Sequence, residues 1–155
     1  MSAKTLPDMD WQRIWFATRQ QAWTSLAVIP SDHGVDVGRV AESLVAAGRL
    51  LDDKPVTLLN GRGAELSGVR QLVDSLAVMT GRGEWVVVAV DPIGLNPTTV
   101  PLVRATSAAL LVVQLGESLL ASSRATIEAV GRERFLGSIV LSGPGQDHNR
   151  LVEAT

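Results

Sequence analysis

The chain of 155 residues contains no cysteine. That absence excludes disulfides, thiolate metal sites and a cysteine nucleophile together, and it suits a reducing compartment. Tyrosine is missing as well, so tyrosine phosphorylation of this chain is excluded. Lysine and arginine number 14 against 16 aspartates and glutamates, a net charge of −2. With no basic surplus to neutralise a phosphate backbone, the balance argues against nucleic-acid binding. No long hydrophobic run is present either: the most apolar stretches, Trp85 to Val90 and Ala108 to Leu115, fall well short of the roughly 20 residues that cross a bilayer. The opening MSAKTLPDMD places charges and a proline where a signal peptide would have its apolar core. The expectation is a cytoplasmic protein with no membrane span of its own, peripheral to a membrane only through a partner.

What is present is apolar. A hydrophobic fraction of 46% against 19% charged excludes a wholly disordered chain, and a single domain of this length buries roughly two thirds of its unfolded surface. Asp10 to Trp23 carries Trp11, Ile14, Trp15, Thr18 and Ala22 at helical spacing, with Asp8 or Asp10 as a cap, and reads as a leading amphipathic helix within residues 1–24. From 25 to 142 strand and helix alternate. Expected strands are Ser25 to Ile29, Pro55 to Leu59, Trp85 to Val90, Ala109 to Gln114 and Gly137 to Leu141. Expected helices are Val37 to Leu51, Ala64 to Met79, a short one through Val103, and Ser118 to Val130. The β-branched run Trp85 to Val90 lacks alternation, which marks a central strand covered on both faces of a parallel sheet. Connections this short imply right-handed crossovers and a three-layer α/β sandwich of about five mostly parallel strands. Residues 143–155 form a polar tail, turn-rich at first, then a frayed short helix at most.

The order of these segments resembles the MinD-like P-loop ATPases, and among them the bacterial tyrosine-kinase and exopolysaccharide chain-length-regulator branch. Trp85 to Asp91 resembles the family's Walker B strand, while Ser107 to Ser118 and Leu136 to Gly143 resemble its two late strands. Ser31 to Val40 falls on the phosphate loop, and there the chemistry departs. Gly34 matches a loop glycine, but Asp36 stands on the next glycine, Val37 on the lysine and Gly38 on the Mg-binding Ser/Thr. A valine cannot neutralise phosphates and a glycine cannot ligate Mg. The second acidic position is Asn60, so only Asp91 keeps its type. Asp10 and Arg13 fit two places of the kinases' E-x-x-R-x-x-R docking helix, with Phe16 at the third.

Several residues invite a functional reading of their own. Asn60-Gly61-Arg62-Gly63 follows a strand and precedes a helix, so Gly61, Arg62 and Gly63 are anion candidates, although a G-x-G of this kind is more often a tight turn needing positive φ. His33 beside Asp32 suggests a general base, against a solvated loop as the plainer account, and His148 lies far off in the tail. No G-x-S-x-G elbow exists, which excludes that hydrolase class. Asp10, Trp11, Arg13, Ile14 and Trp15 make a candidate partner interface, weighed equally against packing on the chain's own sheet. The resemblance and its departures together imply a non-enzymatic pseudo-ATPase with vestigial Gly34 and Asp91 and no cofactor or metal. It would serve as an assembly or regulatory subunit in bacterial envelope polysaccharide biosynthesis or secretion, partnered by a membrane export or synthase component or by further copies of itself. The alternatives are a nucleotide- or anion-binding α/β domain and a MinD-like cell-division or secretion accessory.

Overall fold

Each residue of the first strand, β1 (Ser25–Pro30), is buried, and the rest of the architecture is arranged around it. The computed structural model describes residues 8–116, 118, 120–142 and 150–153. Within them the other strands are β2 (Val56–Asn60), β3 (Trp85–Ala89), β4 (Ala108–Gln114), β5 (Phe135–Leu141) and β6 (Arg150–Glu153). The helices are α1 (Asp8–Thr18), α2 (Val37–Leu51), α3 (Leu66–Gly81), α4 (Thr99–Arg104) and α5 (Leu120–Val130). The sheet order is β2-β3-β1-β4-β5-β6. The first five strands run parallel, and β6 is antiparallel to β5.

Handedness explains the layering. The β1-to-β2 connection passes over β3 in one direction, whereas β2-to-β3, β3-to-β4 and β4-to-β5 all travel the other way. Right-handed crossovers therefore put α2 on one face and α3, α4 and α5 on the opposite one. The side chains obey this division by alternation along each strand. Leu26, Val28, Val87, Ala89, Leu110 and Val112 face α1 and α2. Ala27, Ile29, Val86, Val88, Val90 and Leu111 meet Leu76 of α3, Leu102 of α4 and Val130 of α5. The protein is thus a three-layer α/β sandwich. As the uninterrupted β-branched run predicts, Val86 to Val90 are covered on both faces, though the strand lies between β2 and β1, not at the centre of the sheet.

Two expectations are corrected. The tail is not helical where it is described: Arg150–Glu153 adds a strand, pairing Ile139 with Leu151 and Val140 with Arg150, while residues 143–149 and His148 among them lie outside the described residues. Helix propensity in a short polar segment yields to the open hydrogen-bonding edge of β5. The leading helix ends at Thr18, leaving Trp23 beyond it, and its apolar stripe packs on the chain's own core. Trp11, Ile14 and Trp15 are buried at 8%, 2% and 0% exposure and join the core beneath α2. The physical reason is the size of the indoles. Trp15 packs edge-on against Trp23 at 5.5 Å and tilted against Trp85 at 6.1 Å, and its Nε1 donates to Asp52 Oδ2 at 2.5 Å. Burying that much apolar area satisfies the helix within the chain. Asp10 and Arg13 make a 3.6 Å ion pair with each other. Over this cluster lies the Arg19 guanidinium, 3.6 Å from the Trp85 ring and 4.8 Å from Trp23. Burial lowers the Arg19 pKa, partly opposed by the charge of Asp52.

Gly48 makes the α1/α2 contact possible, because an added Cβ would stand 2.7 Å from Trp15 Cζ2. Neither the ring nor the helix can yield cheaply in a close-packed interior. Gly48→Ala is expected to destabilise the protein by about 1–3 kcal/mol in urea unfolding despite alanine's better helix propensity. Trp15→Ala should cost about 3–5 kcal/mol. A loss below about 1 kcal/mol for Trp15→Ala would mean that the indole is not core.

Candidate functional site

Ligands of open α/β sheets bind outside the carboxyl ends of the strands, where neighbouring connections leave on opposite faces. Here that point is β1, whose connection goes to the α2 face while those of β3 and β4 go to the other. The register aligns it: Asn60 pairs with Ala89, and Ala89 with Val28. The loops that follow β2, β3 and β1 therefore emerge side by side. This brings Asp91, the Asn60 to Gly63 turn and the start of α2 into one neighbourhood.

The start of α2 is already capped. Asp36 is the N-cap residue, and its Oδ1 accepts the Arg39 backbone N–H at 3.2 Å. Helix N-termini attract anions because their first amides lack partners. A carboxylate from the chain itself now supplies that negative charge. Gly34 lies exposed in the preceding loop, and Val37 and Gly38 open the helix with both residues buried.

The turn after β2 is closed just as fully. Gly61 N–H donates to Ala89 O at 2.7 Å, Arg62 N–H to Asn60 Oδ1 at 3.1 Å and Gly63 N–H to Asp91 Oδ2 at 2.7 Å. All three backbone amides are engaged within the protein, so of the anion candidates Gly61, Arg62 and Gly63 what the turn presents to solvent is the exposed Arg62 side chain. Glycine is needed for other reasons. Gly63 has φ of +72°, and a Cβ on Gly61 would stand 2.5 Å from Leu102 Cδ2 and 3.1 Å from Ala89 O.

Asp91 receives a second bond on the same oxygen, from Asn96 Nδ2 at 3.0 Å. That amide also donates to Ala64 O at 3.0 Å, and Thr98 Oγ1 reaches the same carbonyl at 3.1 Å. Thr98 Oγ1 lies 2.7 Å from Asn96 Oδ1, while Thr99 Oγ1 donates to Asp91 O at 3.0 Å. Asn96, Thr98 and Thr99 were not among the residues singled out from the sequence. Their signal was the Asn96-Pro97-Thr98-Thr99 turn opening a short helix, where Asn and Thr side chains commonly bond nearby backbone. The network makes Asp91 a tie between the β2 and β3 ends.

A cleft of about 310 Å3 opens beside this network. Ser31, Asp32 and His33 form one wall, Ile93 and Leu95 another, and Ser122 and Thr126 of α5 the third. Ser31 Oγ lies 2.8 Å from Ser118 Oγ, which in turn accepts Gln114 N–H at 2.9 Å. His33 is exposed and Asp32 half-buried. Among the described residues lining the cleft none is Lys or Arg, so it offers phosphate no counter-charge from them.

The residues present do not fit the Mg-nucleotide that the resemblance implies. Asp36 supplies negative charge at the phosphate end, Val37 and Gly38 carry no ligating group, and Asp91 is held by two donors. Among the described residues no three His, Asp or Glu side chains gather as a metal would require. Also among them, no helix is long and apolar enough to cross a membrane.

If Asp91 is a structural tie, Asp91→Ala leaves Gly63 N–H and the Asn96 amide without their acceptor. A loss of about 1–3 kcal/mol is expected in urea unfolding, whereas a residue kept only for metal binding would be neutral or stabilising on replacement. No family model matches the chain, and no curated protein does.

Proposed function

We propose that the protein is a non-catalytic relative of the MinD-like ATPases, acting as an assembly or regulatory subunit in bacterial envelope polysaccharide biosynthesis or secretion. One observation carries the non-catalytic part: Asp36, at the position of a phosphate-loop glycine, caps α2 with its own carboxylate. Two further features support it. The strand leading into the aligned loop, β1, is the parallel neighbour of the strand leading to Asp91, the adjacency a phosphate loop and a Walker B carboxylate would need to share one ligand. Asp91 itself is spent on Gly63 and Asn96. In such a protein the sandwich acts as a rigid scaffold, and its work is done by surfaces that contact a membrane export or synthase component or another copy. The anion-binding alternative keeps only the Arg62 side chain, since the amides of Gly61 to Gly63 are bonded within the protein, and no observation favours a cell-division role over envelope export.

Millimolar Mg-ATP or Mg-ADP should leave the melting temperature unchanged and be hydrolysed no faster than in buffer. A ligand at a hundred times its Kd adds about 2.7 kcal/mol of stability, so specific binding would be plain in such a scan. A melting shift with Mg-ATP that disappears in Asp91→Ala would overturn the non-catalytic assignment. Purification from the native host should bring down a polysaccharide-export or synthase component, in equal amount with and without nucleotide. Partners confined to another pathway would overturn the envelope assignment.

A further inference from the structure

The Arg62 side chain crosses to α2. A Cβ built on Gly38 would collide with Arg62 Nη1 and lie 2.8 Å from its Cζ and 3.0 Å from Nη2. The guanidinium therefore rests on the first turn of α2 in the direction in which any side chain at position 38 would project. Its Nε is steadied by Asn60 Oδ1 at 3.0 Å, the same oxygen that accepts the Arg62 backbone N–H. One residue further on, Gly63 N–H is fastened to Asp91. The two adjoining residues of a single loop thus cover positions 38 and 91, where the resemblance puts a metal-binding hydroxyl and the Walker B acid.

We infer that Arg62 is an internal latch: its guanidinium lies against Gly38 and holds the β2-to-α3 loop to the first turn of α2 across the strand ends. This inference rests on treating the face as a former nucleotide site. The chemistry suits the task, because arginine is charged at every physiological pH and presents a flat, rigid fork that can lie on backbone. Glycine at position 38 is the complementary half, since a Cβ there would push the fork off this position.

Hydrogen exchange on the intact protein tests this through a double-mutant cycle of Arg62→Ala and Gly38→Ala. Arg62 is exposed and Gly38 sits in a first turn, so both variants should fold, and unchanged protection of Val88 in β3 serves as the check. Each single variant is expected to speed exchange of the Gly63 amide about tenfold by freeing the loop. The double variant should be no faster than either, because the two changes break one contact. Unchanged Gly63 exchange in Arg62→Ala, or two effects that multiply in the double variant, would overturn the latch. A parallel melting scan with Mg-ATP separates the two ideas. A shift gained only in Arg62→Ala would support the latch while showing that nucleotide affinity survives beneath it. A shift in the parent would contradict both a dead site and a latched one.

Discussion

The complete burial of β1 between β3 and β4 is the constraint from which the molecule follows. All six of its residues are enclosed, its backbone is paired on both sides, and its alternating side chains divide between two separate apolar layers. A strand so placed needs helices on both faces. Right-handed crossover then fixes which helix covers which face. The same placement sends the β1 connection to the side opposite its neighbours and so creates the crevice at the carboxyl ends. The Trp15, Trp23 and Trp85 cluster closes the opposite end, with Arg19 stacked upon it.

At that crevice the polar groups have turned inward. Asp36 caps α2, Asp91 ties Gly63 to Asn96, and Arg62 lies over Gly38. Each of these contacts binds a polar or charged group at the strand ends to another part of the chain. A half-buried carboxylate without donors would be costly, and donors from the adjacent loop remove that cost. Substitutions there should therefore act on stability and loop order.

The fold was legible because the layer pattern is written in residue type. The run Val86 to Val90 reads as a doubly covered strand, and the segment Val37 to Leu51 reads as a helix between two strands. The edge was less legible: Arg150 to Glu153 carries no strong strand signal of its own, and it pairs because β5 offers an unpaired row of amides and carbonyls. The tryptophan stripe announced burial without saying against what, and only the proximity of α2 and Gly48 decides it. At the candidate site, the residue types at Asp36, Val37 and Gly38 told how far the chain departs from the phosphate loop it was compared with. They did not tell how the strand ends are joined, since the contacts of Asn96 with Asp91 and of Arg62 with Gly38 link segments distant in type pattern or in sequence.

The central claim is that the backbone amides at the α2 start and in the β2-to-α3 loop are engaged by the chain itself. A 15N amide titration with Mg-ATP at millimolar concentration, followed at Arg39, Gly63 and Gly61, examines it directly. The account predicts that these three amides stay in place, because their acceptors at Asp36, Asp91 and Ala89 are already bound. Concerted, saturable shifts at Arg39 and Gly63 would contradict it.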